Sequence, residues 1–229
     1  MLGRQILLVS ILLAAAVVCA GTEASNPDPN RFAGEIKAFA EWDSKNAVPA
    51  DPILFVGSSS IRMWRTHESF PELPVVNRGF GGSHISDVIH YLDRVVLPYG
   101  PRAIVFYAGD NDVAGGKSAQ RVAEDYRRFV RLVHARFPAA RIAFISIKPS
   151  GDRWPLWPEM KKANELIRDL CSQDDRLVFA DLATPLLDAD GLPRRGLFNS
   201  DQLHLNSRGY AVWAQTLAPV LSEMLATRH

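Results

Sequence analysis

The sequence is poor in cysteine. It has two in 229 residues, Cys19 and Cys171. Cys19 lies in an apolar N-terminal run, so Cys171 stands alone and no disulfide framework can form in the rest of the chain. Cys171 reads as a small buried hydrophobe on a helix. No block of one charge sign is present either. The net charge is +1 with 22% charged residues, which leaves no basic footprint for nucleic acid. His-Glu-x-x-His and Cys-x-x-Cys are both missing, and His67, His90, His134 and His229 lack ligand spacing. Neither a metal site nor a cofactor is therefore expected. Long apolar runs are missing too, apart from "ILLVSILLAAAVVCA", Ile6 to Ala20. Behind Arg4, this run is short for a membrane span and suits the core of a signal peptide, giving a leader over 1–24 with cleavage after Ala20 or Ala24. Lipidation at Cys19 is the weaker reading, because Val18 is bulky where a small residue is required. The expectation is export to periplasm or medium, with no stable membrane span in the mature form. No repeat, low-complexity tract or linker follows residue 30, so 30–229 reads as a single domain.

What is present is alternation. Phe32, Ile36, Phe39 and Trp42 recur at helical spacing. The apolar runs "ILFV" (53–56), "PVVN" (74–77), "AIVFYAG" (103–109), "RIAFISI" (141–147) and "RLVFADL" (176–182) read as strands. Helical stripes lie between and after them, over 83–99, 118–137, 158–173 and 207–227. Strands alternating with helices predict right-handed crossovers and a mostly parallel sheet covered on both faces. Near-continuous apolar strands fit that burial. Open parallel sheets bind ligands beyond the carboxyl ends of their strands, so those ends are where chemistry is sought.

Four blocks stand out: "GSSS" (57–60), "NRGFGGSH" (77–84), "GDND" (109–112) and "DQLH" (201–204). The first three directly follow a strand. Ester cleavage needs a nucleophilic oxygen, a base, a carboxylate that orients the base, and donors for the oxyanion. A serine at a strand-to-helix turn supplies the oxygen and a backbone N–H. Gly82 lets the backbone approach a substrate closely. The Asn111 amide is a second type of donor. His204 is a base with near-neutral chemistry for its residue type, and Asp201 reaches the same imidazole if the loop is compact. Taken alone, Ser58, Ser59 and Ser60 read more readily as caps of a helix beginning near Ile61 than as a nucleophile.

The order Ser, Gly, Asn, then Asp-x-x-His resembles the SGNH (GDSL) hydrolase family, from about residue 50 to about residue 212. The resemblance implies a flavodoxin-like three-layer α/β/α sandwich with about five parallel strands. It also implies metal-free serine ester hydrolysis. It places the nucleophile at Ser59, the oxyanion donors at Ser59, Gly82 and Asn111, and the rest of the triad at Asp201 and His204. In one respect the chain departs from the pattern: Ser58 stands where the family usually has Asp. Ser59 is favoured over its neighbours because it is the second residue after Gly57, as in Gly-Asp-Ser.

Other readings are weaker. "GFGGSH" lacks the last glycine of a dinucleotide fingerprint, "GGKS" (115–118) lacks the first glycine of a phosphate loop, and Ile61 breaks Gly-x-Ser-x-Gly. His84 and Asp87 in "HISD" read as a partly exposed helix pair. Asn77, Arg78 and Asp112 read as loop braces, and Asp181 ranks below Asp201 because it is remote from His204 in sequence. "SGDRWPLWPEM" (150–160) follows the fourth strand. Its Arg153, Trp154 and Trp157, together with Ser58, are candidate pocket-lining residues, since tryptophan offers a flat face to a sugar or aryl group. The functional expectation is a secreted serine esterase acting on short acyl esters of a small-molecule or carbohydrate alcohol. Lysophospholipase, arylesterase or thioesterase activity, or a non-catalytic carbohydrate-binding protein on a degenerate hydrolase fold, are the alternatives.

Overall fold

A computed structural model describes residues 24–226. The apolar run Ile6 to Ala20, with Cys19, lies outside them. Strands β1 (Ile53–Gly57), β2 (Val75–Gly79), β3 (Ala103–Tyr107), β4 (Arg141–Ile145) and β5 (Leu177–Ala180) form one parallel sheet in the order β2-β1-β3-β4-β5. The helices are α1 (Ala33–Asp43), α2 (Ser59–Arg62), α3 (Thr66–Ser69), α4 (Ile85–His90), α5 (Leu92–Val95), α6 (Asp110–Ala114), α7 (Ala119–Arg136), α8 (Trp157–Cys171) and α9 (Ser207–Ala226).

Side chains alternate across a strand, and β1 divides its own between two cores. Leu54 and Val56 pack with residues of α1, α4, α5, α7 and α8, among them Ile36, Val88, Phe129 and Ile167. Ile53 and Phe55 face the other way, against Trp64, Phe70 and the α9 residues Trp213, Leu217 and Leu221. Helices therefore cover both faces, which makes a three-layer α/β/α sandwich in flavodoxin-like strand order. Amphipathic α7 shows how the sequence builds a layer. Ser118 caps its start by accepting from the Arg121 N–H, and Val122, Tyr126, Phe129, Val130 and Val133 are buried along one stripe. Cys171 is buried on α8, and burial pushes its thiol up to about 12, leaving it inert.

The stripe over 83–99 is not one helix. It breaks into α4, α5 and a single 3₁₀ turn, Leu97–Tyr99. Pro98 has no N–H and disfavours helical backbone at the residue before it, and Val96 has already left helical geometry at φ −129°. At the first break, Tyr91 is drawn out of register: its ring packs edge-on to Phe80 and its hydroxyl donates to the Pro29 carbonyl.

Candidate active site

The first three strands end in one row. Gly57 pairs with Gly79 on one side and with Tyr107 on the other. The strand order reverses between β1 and β3, the position at which open α/β sheets form a ligand crevice. Backbone crowding there selects glycine. Gly57 has φ 141°, and a Cβ on it would lie 1.8 Å from the Tyr107 carbonyl oxygen. The turn after Gly57 makes the three serines unequal. Ser58 and Ser60 are sealed at 0% and 1% exposure, whereas Ser59, at the start of α2, keeps 9%.

Ser59 Oγ lies 3.0 Å from His204 Nε2, and His204 Nδ1 lies 2.7 Å from Asp201 Oδ2. A carboxylate only accepts, so Nδ1 carries the ring proton, Nε2 is the acceptor and Ser59 donates to it. The Asp-x-x-His turn is tight. Asp201 Oδ1 accepts the backbone N–H groups of Leu203 and His204 at 2.9 and 3.0 Å. Gln202 between them adopts the left-handed region at φ 52°, a conformation that costs a non-glycine residue free energy and that folds both side chains to one side. Burial works to raise the Asp201 carboxyl, but the His204 hydrogen bond and the two N–H donors outweigh it and hold it at about 2. The carboxylate is therefore ionised throughout the range of ordinary assays. Its contribution is fully present above the usual 3.8 and is lost only as pH falls through about 2.

Gly82 and Asn111 arrive from β2 and β3. Gly82 has φ 72°, with nothing within 4 Å of where a Cβ would stand. Asn111 lies in the first turn of α6, and its Nδ2 donates to the Ser83 carbonyl at 3.2 Å. Asn111 is thereby tied to the Gly82 loop. Among the described residues, the Ser59 and Gly82 N–H groups have no acceptor and one hydrogen of the Asn111 amide is uncommitted. These are the donors such a site offers to a developing oxyanion.

The remaining sequence candidates have distinct places. Ser58 is enclosed beneath the nucleophile turn. Arg153 Nη2 donates to Asn111 Oδ1 at 2.9 Å. Trp154 borders a cleft of about 500 Å³ with Asp152, Asp188, Arg194, Arg195, Asp201 and Gln202. Trp157 stacks on Trp154 with ring centroids 6.3 Å apart, but packs against the core and borders a different hollow with Phe179 and Arg168. Asn77 does brace, donating to the Ile61 and Trp64 carbonyls under α2. Asp181 accepts from the Thr184 hydroxyl and backbone, away from the imidazole. Asp87 is buried, not half exposed, because the segment before α1 lays Arg31 against it while the His84 N–H also donates to it. Asp112 accepts from Ile85 N–H and buried Lys117, which joins the Gly82 and Asn111 loops.

Two buried groups escaped sequence reading. Asp110 lies 3.1 Å from Lys148 Nζ and 3.2 Å from Arg153 Nη1. The available signal was position: Asp110 precedes Asn111, and Lys148 closes the apolar "RIAFISI" run. No cluster of three His, Cys, Asp or Glu able to hold a metal occurs among the described residues.

The GDSL-like lipase/acylhydrolase family matches residues 58–212. The chain is 30% identical over 193 residues to a platelet-activating factor acetylhydrolase IB subunit alpha1 from Pongo abelii, covering 80% of each protein. The alpha2 subunit from Rattus norvegicus is 27% identical over 190 residues, again across 80% of each. Among solved structures, a GDSL-like lipase from Bacteroides thetaiotaomicron superposes with TM-score 0.69 at 19% identity, over 82% of this chain and 97% of that one. An acetylxylan esterase from Geobacillus stearothermophilus, in a catalytic mutant form, superposes at 0.61 with 16% identity, over 78% and 96%. The structural likenesses establish the fold. The family match across most of the chain, on the elements that carry the serine, glycine, asparagine and Asp-x-x-His blocks, makes this protein a member of the GDSL-like lipase/acylhydrolase (SGNH) family and a carboxylic ester hydrolase.

Proposed function

We propose that the chain is an exported esterase that removes short acyl groups, above all acetyl, from a polar, sugar-like alcohol, with Ser59 as nucleophile. The observation that carries this reading is the hydrogen-bonded line Ser59–His204–Asp201, at 3.0 and 2.7 Å. His204 takes the Ser59 proton as Oγ attacks the ester carbonyl. The oxyanion is held by the N–H groups of Ser59 and Gly82 and by the Asn111 amide. His204 then passes its proton to the leaving alcohol; water, deprotonated by the same imidazole, attacks the acyl-enzyme, and the imidazolium returns that proton to Ser59 Oγ as the acid is released.

Because His204 delivers that proton, the leaving group departs on the His204 side. A cleft bordered by Asp201 and Gln202 adjoins the triad turn on its Asp201 side. Its carboxylates, arginines and the Trp154 face suit a polyol with one apolar ring face, and the arginines extend the reading to a leaving group that carries a phosphate. Acetyl is named in the acetylhydrolase relatives and in the acetylxylan esterase whose fold this chain shares. Initial rates on p-nitrophenyl acetate, butyrate and palmitate and on acetylated xylo-oligosaccharides test the reading. The acetyl esters are expected to have the highest kcat/KM, and a palmitate preference would overturn it. Asp201→Asn is expected to lower kcat by about three to four orders of magnitude at pH 8, because the amide favours the wrong imidazole tautomer. A loss below about tenfold would remove Asp201 from the triad.

A further inference from the structure

The Asn111 side chain is held at both ends. Its Nδ2 donates one hydrogen to the Ser83 carbonyl, and its Oδ1 accepts from Arg153 Nη2 at 2.9 Å. A guanidinium can only donate, so the atom it meets must be the amide oxygen. Arg153 thereby fixes which way the amide points and leaves the second Nδ2 hydrogen unclaimed. With the amide reversed, Arg153 would face an N–H₂ group and the oxyanion would face a carbonyl.

Arg153 is also surplus to local charge balance. Buried Asp110 is already paired with buried Lys148, at 3.1 Å. Lys148 in turn donates to the buried Tyr107 hydroxyl at 3.3 Å. One ammonium neutralises one carboxylate. Arg153, 3.2 Å from the same Asp110 Oδ2 and 16% exposed, therefore leaves a net positive charge in a shielded cluster directly behind Asn111. Burial works to raise the Asp110 carboxyl, and the two cations more than offset it, so it stays below the usual range and ionised. The cluster sits on a rigid support. The Arg153 N–H donates to Ser150 Oγ, and one residue earlier the Asp152 N–H donates to the Gln202 carbonyl inside the Asp-x-x-His turn. A single loop after β4 thus clamps the amide and the triad turn together.

We propose that Arg153 is a positioning residue of the oxyanion hole, which orients the Asn111 amide and polarises its free N–H toward the developing negative charge. This rests on the reading of Asn111 as an oxyanion donor. Cooperative strengthening along a hydrogen-bonded chain in a shielded site, here headed by a cation, is the physical basis. Arg153 acts mainly when charge develops, so its loss falls on kcat and not on KM.

The experiment is a double-mutant cycle on p-nitrophenyl acetate with active sites counted by a fluorophosphonate. Arg153→Ala is expected to lower kcat by about ten- to a hundredfold with KM changed by less than about twofold. In an Asn111→Ala background the same substitution is expected to do little more. Arg153→Lys keeps a cation for Asp110 and so guards the fold, yet it stays slow because an ammonium has no fork to hold Asp110 and Asn111 together. Guanidinium at roughly tens of millimolar restores part of kcat to Arg153→Ala and none to the double variant. Additive losses across the cycle, or a loss confined to KM, overturn the proposal while the ester reading stands. An Asn111→Ala enzyme with full kcat would sink the oxyanion assignment itself, and the role of Arg153 with it.

Discussion

Ser59→Ala is expected to lower hydrolysis of p-nitrophenyl acetate by about four to six orders of magnitude, whereas Ser58→Ala and Ser60→Ala stay within about tenfold of the parent. The asymmetry is geometric. All three hydroxyls follow one strand, but Ser59 Oγ alone of the three has a hydrogen bond to the imidazole and a share of open surface. Ser58 caps α2 without a side-chain hydrogen bond, so trimming it removes no cap contact. Ser60 is enclosed, and its carbonyl accepts from the Tyr210 hydroxyl, a contact an alanine backbone keeps. A fluorophosphonate should add its mass to the peptide containing Ser59 and leave the Ser59→Ala chain unlabelled. Full activity in Ser59→Ala, or loss only at Ser58 or Ser60, would move the nucleophile.

Gly57→Ala is expected to destabilise the fold by more than about 4 kcal/mol, or to prevent folding outright. Two costs coincide. The residue holds φ 141°, where a side chain is strained, and the added Cβ would overlap the Tyr107 carbonyl oxygen at 1.8 Å. That oxygen accepts the Ser58 N–H at 2.9 Å, so the clash cannot be relieved without moving β1 off β3 and the nucleophile with it. Gly82→Ala is the control. It also has a left-handed φ, 72°, but nothing within 4 Å of the new atom, so only the backbone cost of about 1–2 kcal/mol applies. Urea midpoints measured by tryptophan fluorescence should separate the two. A Gly57→Ala midpoint equal to the parent's would contradict the described contact.

The sheet and its order of elements are legible because the signals are local. Apolar runs ending in glycine give β1 and β3, and Ser118 before an amphipathic stripe gives the start of α7. The Asp-x-x-His contact is legible for the same reason, its partners being three positions apart. The stripe over 83–99 misled, because hydrophobic period reports which side faces the core and not whether the helix is continuous. Pro98 and the distant pull of Phe80 and Pro29 on Tyr91 break it. Asp87 misled likewise: its partner Arg31 lies 56 residues away.

From composition and local pattern alone, then, came the α/β class, the parallel sheet and the four blocks at its carboxyl edge. Which serine meets the imidazole is a contact across 145 residues. That Arg153 meets Asn111, and does not simply line a pocket, is a contact across 42. Periodicity records which face of an element is buried, within one or two turns. The aim of a single side chain depends on how loops from different strands pack against one another, and only the assembled sheet edge determines that.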